Sequence, residues 1–443
     1  ASVYKVNDKP KFGQLIVFAL QQLLAILAAT IAVPSIVGNG MSQSAALFGA
    51  GVGTIVYLLF TKFKSPVFLG SSFAFLGSMF AAFGGAASVS VGYAGLIIGA
   101  VFAGLVYVII AIVVKVAGVK WVSKLMPPVV IGPTVAIIGL SLAGNAIGNA
   151  FGFGSPQASY TMNGAMWVNL ICALVTLFTV IFFSVKGKKM MKLIPFILGI
   201  IAGYLVALVF TLIGKSSGND SLKILDFSAF SAMKWVPEFT FVEAFKGFGA
   251  IDAKYIASIA VAYVPVAFVV FAEHIADHKN LSSIIGHDLL EDPGLHNTLL
   301  GDGIGSMVGA FFGGCPNTTY GESVGCVAIT GNASVVTILA TSILAIAASF
   351  CGPFVTFLST IPTCVMGGVC ITLYGFIAVS GLKMLQPVDL NDNRNLFTAS
   401  VILIAGIGGM TMNIGSVTLT EVACALILGV IVNLLFNRPA KKD

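Results

Sequence analysis

The sequence predicts an all-α polytopic membrane protein of fourteen spans, and three observations lead there. Apolar runs of about 20 residues recur along the chain, the length a helix needs to cross a bilayer, whereas strands of a membrane barrel would alternate over about 10. Of the 443 residues, 58% are hydrophobic and 9% charged, against roughly 25% charged in soluble proteins, and the mean hydropathy is +1.02. The basic residues, finally, fall on one side of the membrane once the spans are counted.

The spans read 14–33, 43–60, 66–84, 92–114, 128–148, 165–184, 193–214, 255–276, 296–314, 316–331, 333–351, 363–382, 395–412 and 419–436. The first contains Gln21 and Gln22 and is too long for a signal-peptide core, so it reads as a span. With the N-terminus in the cytoplasm, 18 of the 23 basic residues lie inside, from Lys5, Lys9 and Lys11 to Arg438, Lys441 and Lys442. The other five are Lys215, Lys223, Lys234, Lys246 and Lys254. They share one outer segment, 215–254, with five acidic residues. This is the positive-inside pattern, with both termini cytoplasmic. Trp121 and Trp167 stand at span ends, where interface anchors belong. The outer segment reads equally as a short amphipathic surface helix or as a plain linker. The net charge of +6 follows from topology and does not indicate nucleic-acid binding. The seven cysteines show neither metal-ligand nor redox spacing.

Seven spans per half is an odd number, so duplicated halves would be inverted relative to each other. The third and tenth spans are then counterparts. The third has Pro66 followed by Gly70, Ser71, Ser72 and Phe73; the tenth, within Cys315 to Gly331, has Pro316 followed by Asn317, Thr318, Thr319, Tyr320, Gly321 and Glu322. Proline and glycine disfavour a regular helix there. Irregular backbone survives at membrane depth only where it is buried in protein or lines a cavity. A solvated extramembrane loop would also be polar, but the flanking spans leave no room for one.

Four acids fall in or at the edges of the eighth to tenth spans: Glu273, Asp277, Asp302 and Glu322. Glu273 and Asp277 are four apart and share a helix face. Carboxylates are costly in hydrocarbon, so they should face a polar cavity and one another. No Lys or Arg within the spans can pair with them. Some are therefore expected to bind protons, since burial favours the uncharged acid. His274 either hydrogen-bonds Glu273 or packs between helices, and His278 is placed at the cytoplasmic interface beside Lys279. Two histidines four apart could bind zinc, but no third ligand and no H-E-x-x-H accompany them.

Broken helices offer backbone N–H groups to carbonyl oxygens, carboxylates accept from ring N–H groups, and Phe73 and Tyr320 offer flat faces. The complement is a small planar heterocycle alternating C=O and N–H, such as uracil or xanthine. An anion would require Arg or Lys in the site. An enzyme would need a nucleophile–base pair or a metal set that the sequence lacks. A passive channel would not accumulate its solute against a gradient.

At these residues the sequence resembles the nucleobase–ascorbate transporter family over nearly its whole length. The pieces are L-G-S-S-F-A-F (69–75), A-E-H (272–274), D-L-L-E-D-P-G-L-H (288–296), N-T-T-Y-G-E (317–322), V-M-G-G-V (365–369) and L-Y-G (373–375), with the tenth-span signature carried by Glu322, Ser323, Val324, Gly325, Thr330 and Gly331. The resemblance implies a 7+7 inverted repeat with short strands in spans 3 and 10. It implies a core domain from 1–125 and 251–355 (spans 1–4 and 8–11). It implies a gate domain from 126–250 and 356–443 (spans 5–7 and 12–14). It further implies a proton-coupled symporter of the cell membrane that works by alternating access, without a cofactor and as a homodimer through the gate domain. In that reading Glu273 and Glu322 bind the base, and Phe73 and Gly321 give backbone N–H. Ser72 and Tyr320 shape the pocket, and Tyr374 closes it. His274, Asp277, Asp302, Ser323 and Gln22 form the coupling and supporting network. Glu at 322 resembles the uracil branch, where xanthine and urate carriers commonly have Gln. Three positions depart from the pattern. Gln22 stands for a His, Ser323 for an Asn, and Asp277 for the His often found in the uracil branch. The Asp at 277 keeps a xanthine, urate or other purine carrier as the alternative, and sodium as the alternative ion.

Overall fold

The computed structural model describes residues 4–192, 194–415 and 417–436. Arg438, Lys441 and Lys442, part of the cytoplasmic charge count, lie outside the described residues.

The chain begins with α1 (Phe12–Val37) and α2 (Gln43–Phe60), then a short strand β1 (Leu69–Ser71) and the half-length α3 (Leu76–Gly84). α4 (Val89–Ala117), the short α5 (Lys120–Leu125), α6 (Pro128–Ser141) and α7 (Ala143–Ala150) follow, then α8 (Gly164–Lys186) and α9 (Pro195–Ser217). After α10 (Thr240–Gly247) come α11 (Ala253–Ile285), α12 (Leu295–Gly313), β2 (Asn317–Thr319) and another half-length helix, α13 (Gly321–Thr330). α14 (Val335–Ser349) and α15 (Gly352–Ser359) lead to α16 (Thr363–Lys383) and α17 (Asn393–Ile407). A hairpin of β3 (Met412–Ile414) and β4 (Val417–Leu419) precedes α18 (Glu421–Phe436). Among the described residues, eight helices are long and apolar enough to cross a membrane, and a ninth span forms if α14 and α15, bent by 81°, are taken together.

Packing falls into two sets. In one, α12 lies against α2 and α4, with α11 on α4 and α14 on α2; in the other, α16 lies against α6, α7 and α8, with α8 on α9 and α17 on α6 and α18. Small residues let backbones meet, as close helix contacts in lipid require. Gly49 and Gly53 on α2 face Gly309 and Gly305 on α12. A Cβ on Gly49 would stand 2.6 Å from the Gly309 carbonyl, and one on Gly53 would stand 2.9 Å from that of Gly305.

Several sequence expectations change. The eighth span does not stop at residue 276; α11 runs to Ile285 because no breaker intervenes before Gly286, which takes a left-handed φ of +69°. His278 lies within this helix and is buried at 1% exposure, not solvated beside Lys279. The outer segment resolves into α10, seated on α4 through Thr240, Ala244 and Gly247, with 3-10 turns around it. The β3–β4 hairpin, packed on α11, is not foreseen by the hydropathy pattern.

Candidate functional site: a cavity between two broken spans

β1 and β2 pair antiparallel, with Leu69 opposite Thr319, Gly70 opposite Thr318 and Ser71 opposite Asn317. The pairing extends by one bond at each end, Ser72 N to Pro316 O at 2.9 Å and Tyr320 N to Phe68 O at 3.1 Å. A two-stranded ribbon leaves outer edges that hydrocarbon cannot satisfy. Side chains satisfy them here. Thr54 Oγ1 accepts from Leu69 N at 2.9 Å and donates to Leu69 O at 3.1 Å. Asn317 Nδ2 donates to Gly49 O at 2.8 Å, Ser306 Oγ donates to Asn317 O, and Ser323 Oγ accepts from Phe68 N at 2.9 Å. The run 315–320 is buried throughout, which excludes a solvated loop.

Beside the ribbon lies a cavity of about 430 Å³. α11 supplies Glu273, Ala276 and Asp277; the two broken spans supply Ser72, Phe73, Ala74 and the run from Thr318 to Glu322. Val135 and Ile138 of α6, Phe196 of α9, Leu373, Phe376, Ile377 and Ser380 of α16, and Met384 just past its end complete it. Glu273, Asp277 and Glu322 are partly exposed to this space. Thr319 Oγ1 donates to Asp277 Oδ2 at 2.9 Å. Among the described residues, every ion pair made by Lys or Arg joins exposed or half-exposed side chains and none reaches the cavity acids. Gly321 opens α13 at the cavity, where the first N–H groups of a helix have no intrahelical acceptor. The Tyr320 ring rests over Gly70 and its hydroxyl donates to Ser71 O at 2.7 Å, so the ring is held with one face along the ribbon.

The remaining expected residues sit behind this lining. Tyr374 is buried, its ring edge-on to Phe73 at 6.1 Å, while its neighbours Leu373, Phe376 and Ile377 reach the cavity. Gln22 and Ser323 bond to each other: Ser323 Oγ donates to Gln22 Oε1 at 3.0 Å and Gln22 Nε2 to Ser323 O at 3.3 Å. Two departures from the family pattern are therefore each other's partners, 301 residues apart. His274 bonds not to Glu273 but to Asp302, Nδ1 to Oδ2 at 2.6 Å, and neither lines the cavity. Successive helix residues point about 100° apart, so a His next to a cavity-facing Glu is turned toward α12. The apolar wall, Val135 to Met384, is missed by sequence reasoning, because its residues look like any others in an apolar span.

A family model described as the Permease family matches residues 13–415. The uracil permease of Bacillus caldolyticus is 42% identical over 441 residues, covering 99% of this chain and 95% of that one. The uracil permeases of Bacillus subtilis (strain 168) and Escherichia coli (strain K12) are 38% and 33% identical, covering 99% and 98% of this chain and 96% and 93% of theirs. The chain belongs to the nucleobase–ascorbate transporter family. Its relatives are permeases, not enzymes.

Among solved structures, the murine Solute Carrier 26 family member A9 anion transporter in the inward-facing state superposes with a TM-score of 0.68 at 13% identity, over 97% of this chain and 69% of that one. The transmembrane domain of the cyanobacterial bicarbonate transporter BicA gives 0.65 at 17%, over 97% and 100%. The fold is that of a mostly helical, multi-pass membrane transporter.

Proposed function

We propose that this protein is a proton-coupled nucleobase importer, with uracil as its substrate. The single observation that carries the reading is that Glu273 and Glu322, from separate elements, line one cavity against the paired β1–β2 break. Two carboxyl groups can accept from two ring N–H groups, and the α13 N-terminus can donate to a ring carbonyl. Phe73 and Tyr320 give a flat ring two faces to lie against. A cavity with acids and no Lys or Arg suits an uncharged ring and not an anion. Relatives at 33–42% identity named uracil permease support uracil.

In this reading the fourteen spans form a 7+7 inverted repeat. The α2–α4–α11–α12 set is the core domain, and the α6–α8–α9–α16–α17–α18 set is the gate. The core shifts against the gate in alternating access, and the gate forms a homodimer interface. Both termini face the cytoplasm across the cell membrane. The lining extends along α16 to Ser380 and on to Met384, just past its end.

Protonation of Glu273 sets readiness to bind. Glu273→Gln, which mimics the protonated acid, should keep nucleobase binding in a thermal-shift panel at two pH values yet lose proton-driven uptake. Normal uptake by that variant with an unchanged pH profile overturns the mechanism. A purine carrier is the second reading, favoured by Asp277 lying on the cavity. Competition of labelled uracil uptake by xanthine separates the two, and varying sodium at fixed pH separates the ions.

A further inference from the structure

Behind the cavity wall lies a sealed polar cluster. The His274 and Asp302 side chains are both at 0% exposure. His274 Nε2 stands 2.9 Å from Thr298 Oγ1, and the Thr298 hydroxyl donates to Leu295 O at 3.1 Å. A hydroxyl has one hydrogen, and with it on the Leu295 carbonyl Thr298 can only accept from the imidazole, which puts a proton on Nε2. Across the 2.6 Å between Nδ1 and Asp302 Oδ2 a further hydrogen is then required, whichever atom holds it. Imidazolium with carboxylate and imidazole with carboxylic acid are both net neutral. Asp302 Oδ1 chooses between them: it is buried and has no hydrogen-bond partner among the described residues. An unpartnered oxygen costs less on a neutral acid than on a carboxylate.

The second histidine offers no cation in exchange. His278 stacks on His274 at 4.0 Å, and its Nδ1 donates to His274 O at 2.8 Å. Tyr57 donates to His278 Nε2 at 2.6 Å and accepts from Ser65 Oγ at 2.6 Å. The titratable groups facing the pair are Glu273, Asp277 and His278 on α11, Tyr57 on α2, Tyr107 on α4, and Glu322 across the cavity. A proton lost from the pair would leave an uncompensated negative charge among acids.

We propose that His274 and Asp302 hold one resident proton as a neutral positioning pair. The pair ties α11 to α12 and fixes the rotation that turns Glu273 into the cavity, and its proton stays in place through the transport cycle. Its transport assay rests on the nucleobase reading; its spectroscopic assay does not. Infrared difference spectra of the purified full chain, wild type minus Asp302→Asn, should contain a carboxylic-acid C=O band that persists from about pH 6 to about pH 9. Asp302→Asn puts an N–H where the acid O–H stood, so it should remove the band yet keep the α11–α12 tie and more thermal stability than Asp302→Ala. Asp302→Ala and His274→Phe leave a partner unpaired and should lower uptake at least about ten-fold.

A band missing at neutral pH, a band that titrates with the uptake profile, or an Asp302→Asn protein no more stable than Asp302→Ala overturns the proposal. Should Asp302→Asn not fold, the wild-type minus His274→Gln spectrum decides instead. A shifted, pH-invariant acid band supports the pair, and its absence refutes it. If no nucleobase is transported while the band persists, the functional reading fails and the pair stands.

Discussion

The two walls of the cavity are built from opposite chemistry. α11 and the broken spans present carboxyl groups, hydroxyls and a helix start, with Asp277 bonded to Thr319 and the start of α13 tied to Phe68 through Ser323. The wall from α6, α9 and α16 presents Val135, Ile138, Phe196, Leu373, Phe376 and Ile377. Directional bonds select a ligand, because an unmet buried donor or acceptor is costly. Apolar contact is non-directional, so that wall can part from a ligand and close again without leaving polar groups unpaired. Polar and apolar lining thus come from different sets of helices, Ser380 of α16 excepted.

The strongest way to break this contrast is at the acids. Glu273→Ala and Glu322→Ala should each weaken nucleobase binding by about 2–4 kcal/mol, read by titration of the purified protein, since ring N–H groups would lose their buried acceptor. An equal loss from Phe376→Ala would erase the distinction between the walls. Next in size is Gly70→Ala. Its Cβ would meet the Tyr320 ring at 2.5 Å and Thr30 Oγ1 at 2.8 Å, in a ribbon with no slack. Overpacking of this kind costs about 1–3 kcal/mol, so Tm and affinity should fall together.

Smaller again, Phe376→Ala should change affinity by less than about ten-fold, the scale of partial apolar burial, while altering uptake rate more than binding. The smallest effect lies outside the cavity. Lys64 bonds to Asp292 at 2.7 Å and, chiefly through that hydrogen bond, holds its carboxyl below the usual carboxylate range. A depressed acid stabilises the folded state above its unfolded value and ceases to do so as pH falls through the folded one. Lys64→Ala should therefore lower Tm slightly at neutral pH, and the difference should close on acidification below about pH 4. A difference that grows on acidification would contradict the ion pair's role.

Much of this was legible beforehand for definite reasons. Pro66 and Pro316 announce the two breaks, and Glu322 within the second announces a cavity, because both features are expensive in lipid unless something requires them. Gln22 and Ser323 could not be interpreted one at a time. Each looked like a departure, and only their bond to each other explains the pair. The burial of His278 was hidden for a related reason. A polar run near a span end looks like an interface when the helix end cannot be located, and α11 continues nine residues beyond 276 to Ile285.

The sequence by itself determined what the membrane dictates: hydropathy sets the spans, and the scarcity of charge makes every buried acid conspicuous. Close pairings across the fold were decided only by the tertiary structure: which acids share a cavity, which are sealed away, and which apolar residues face a void and not lipid. An apolar side chain is equally at home against either, so nothing in its identity records the choice. A carboxyl group's surroundings depend on helix rotation, where about 100° separates the cavity-facing Glu273 from the enclosed His274.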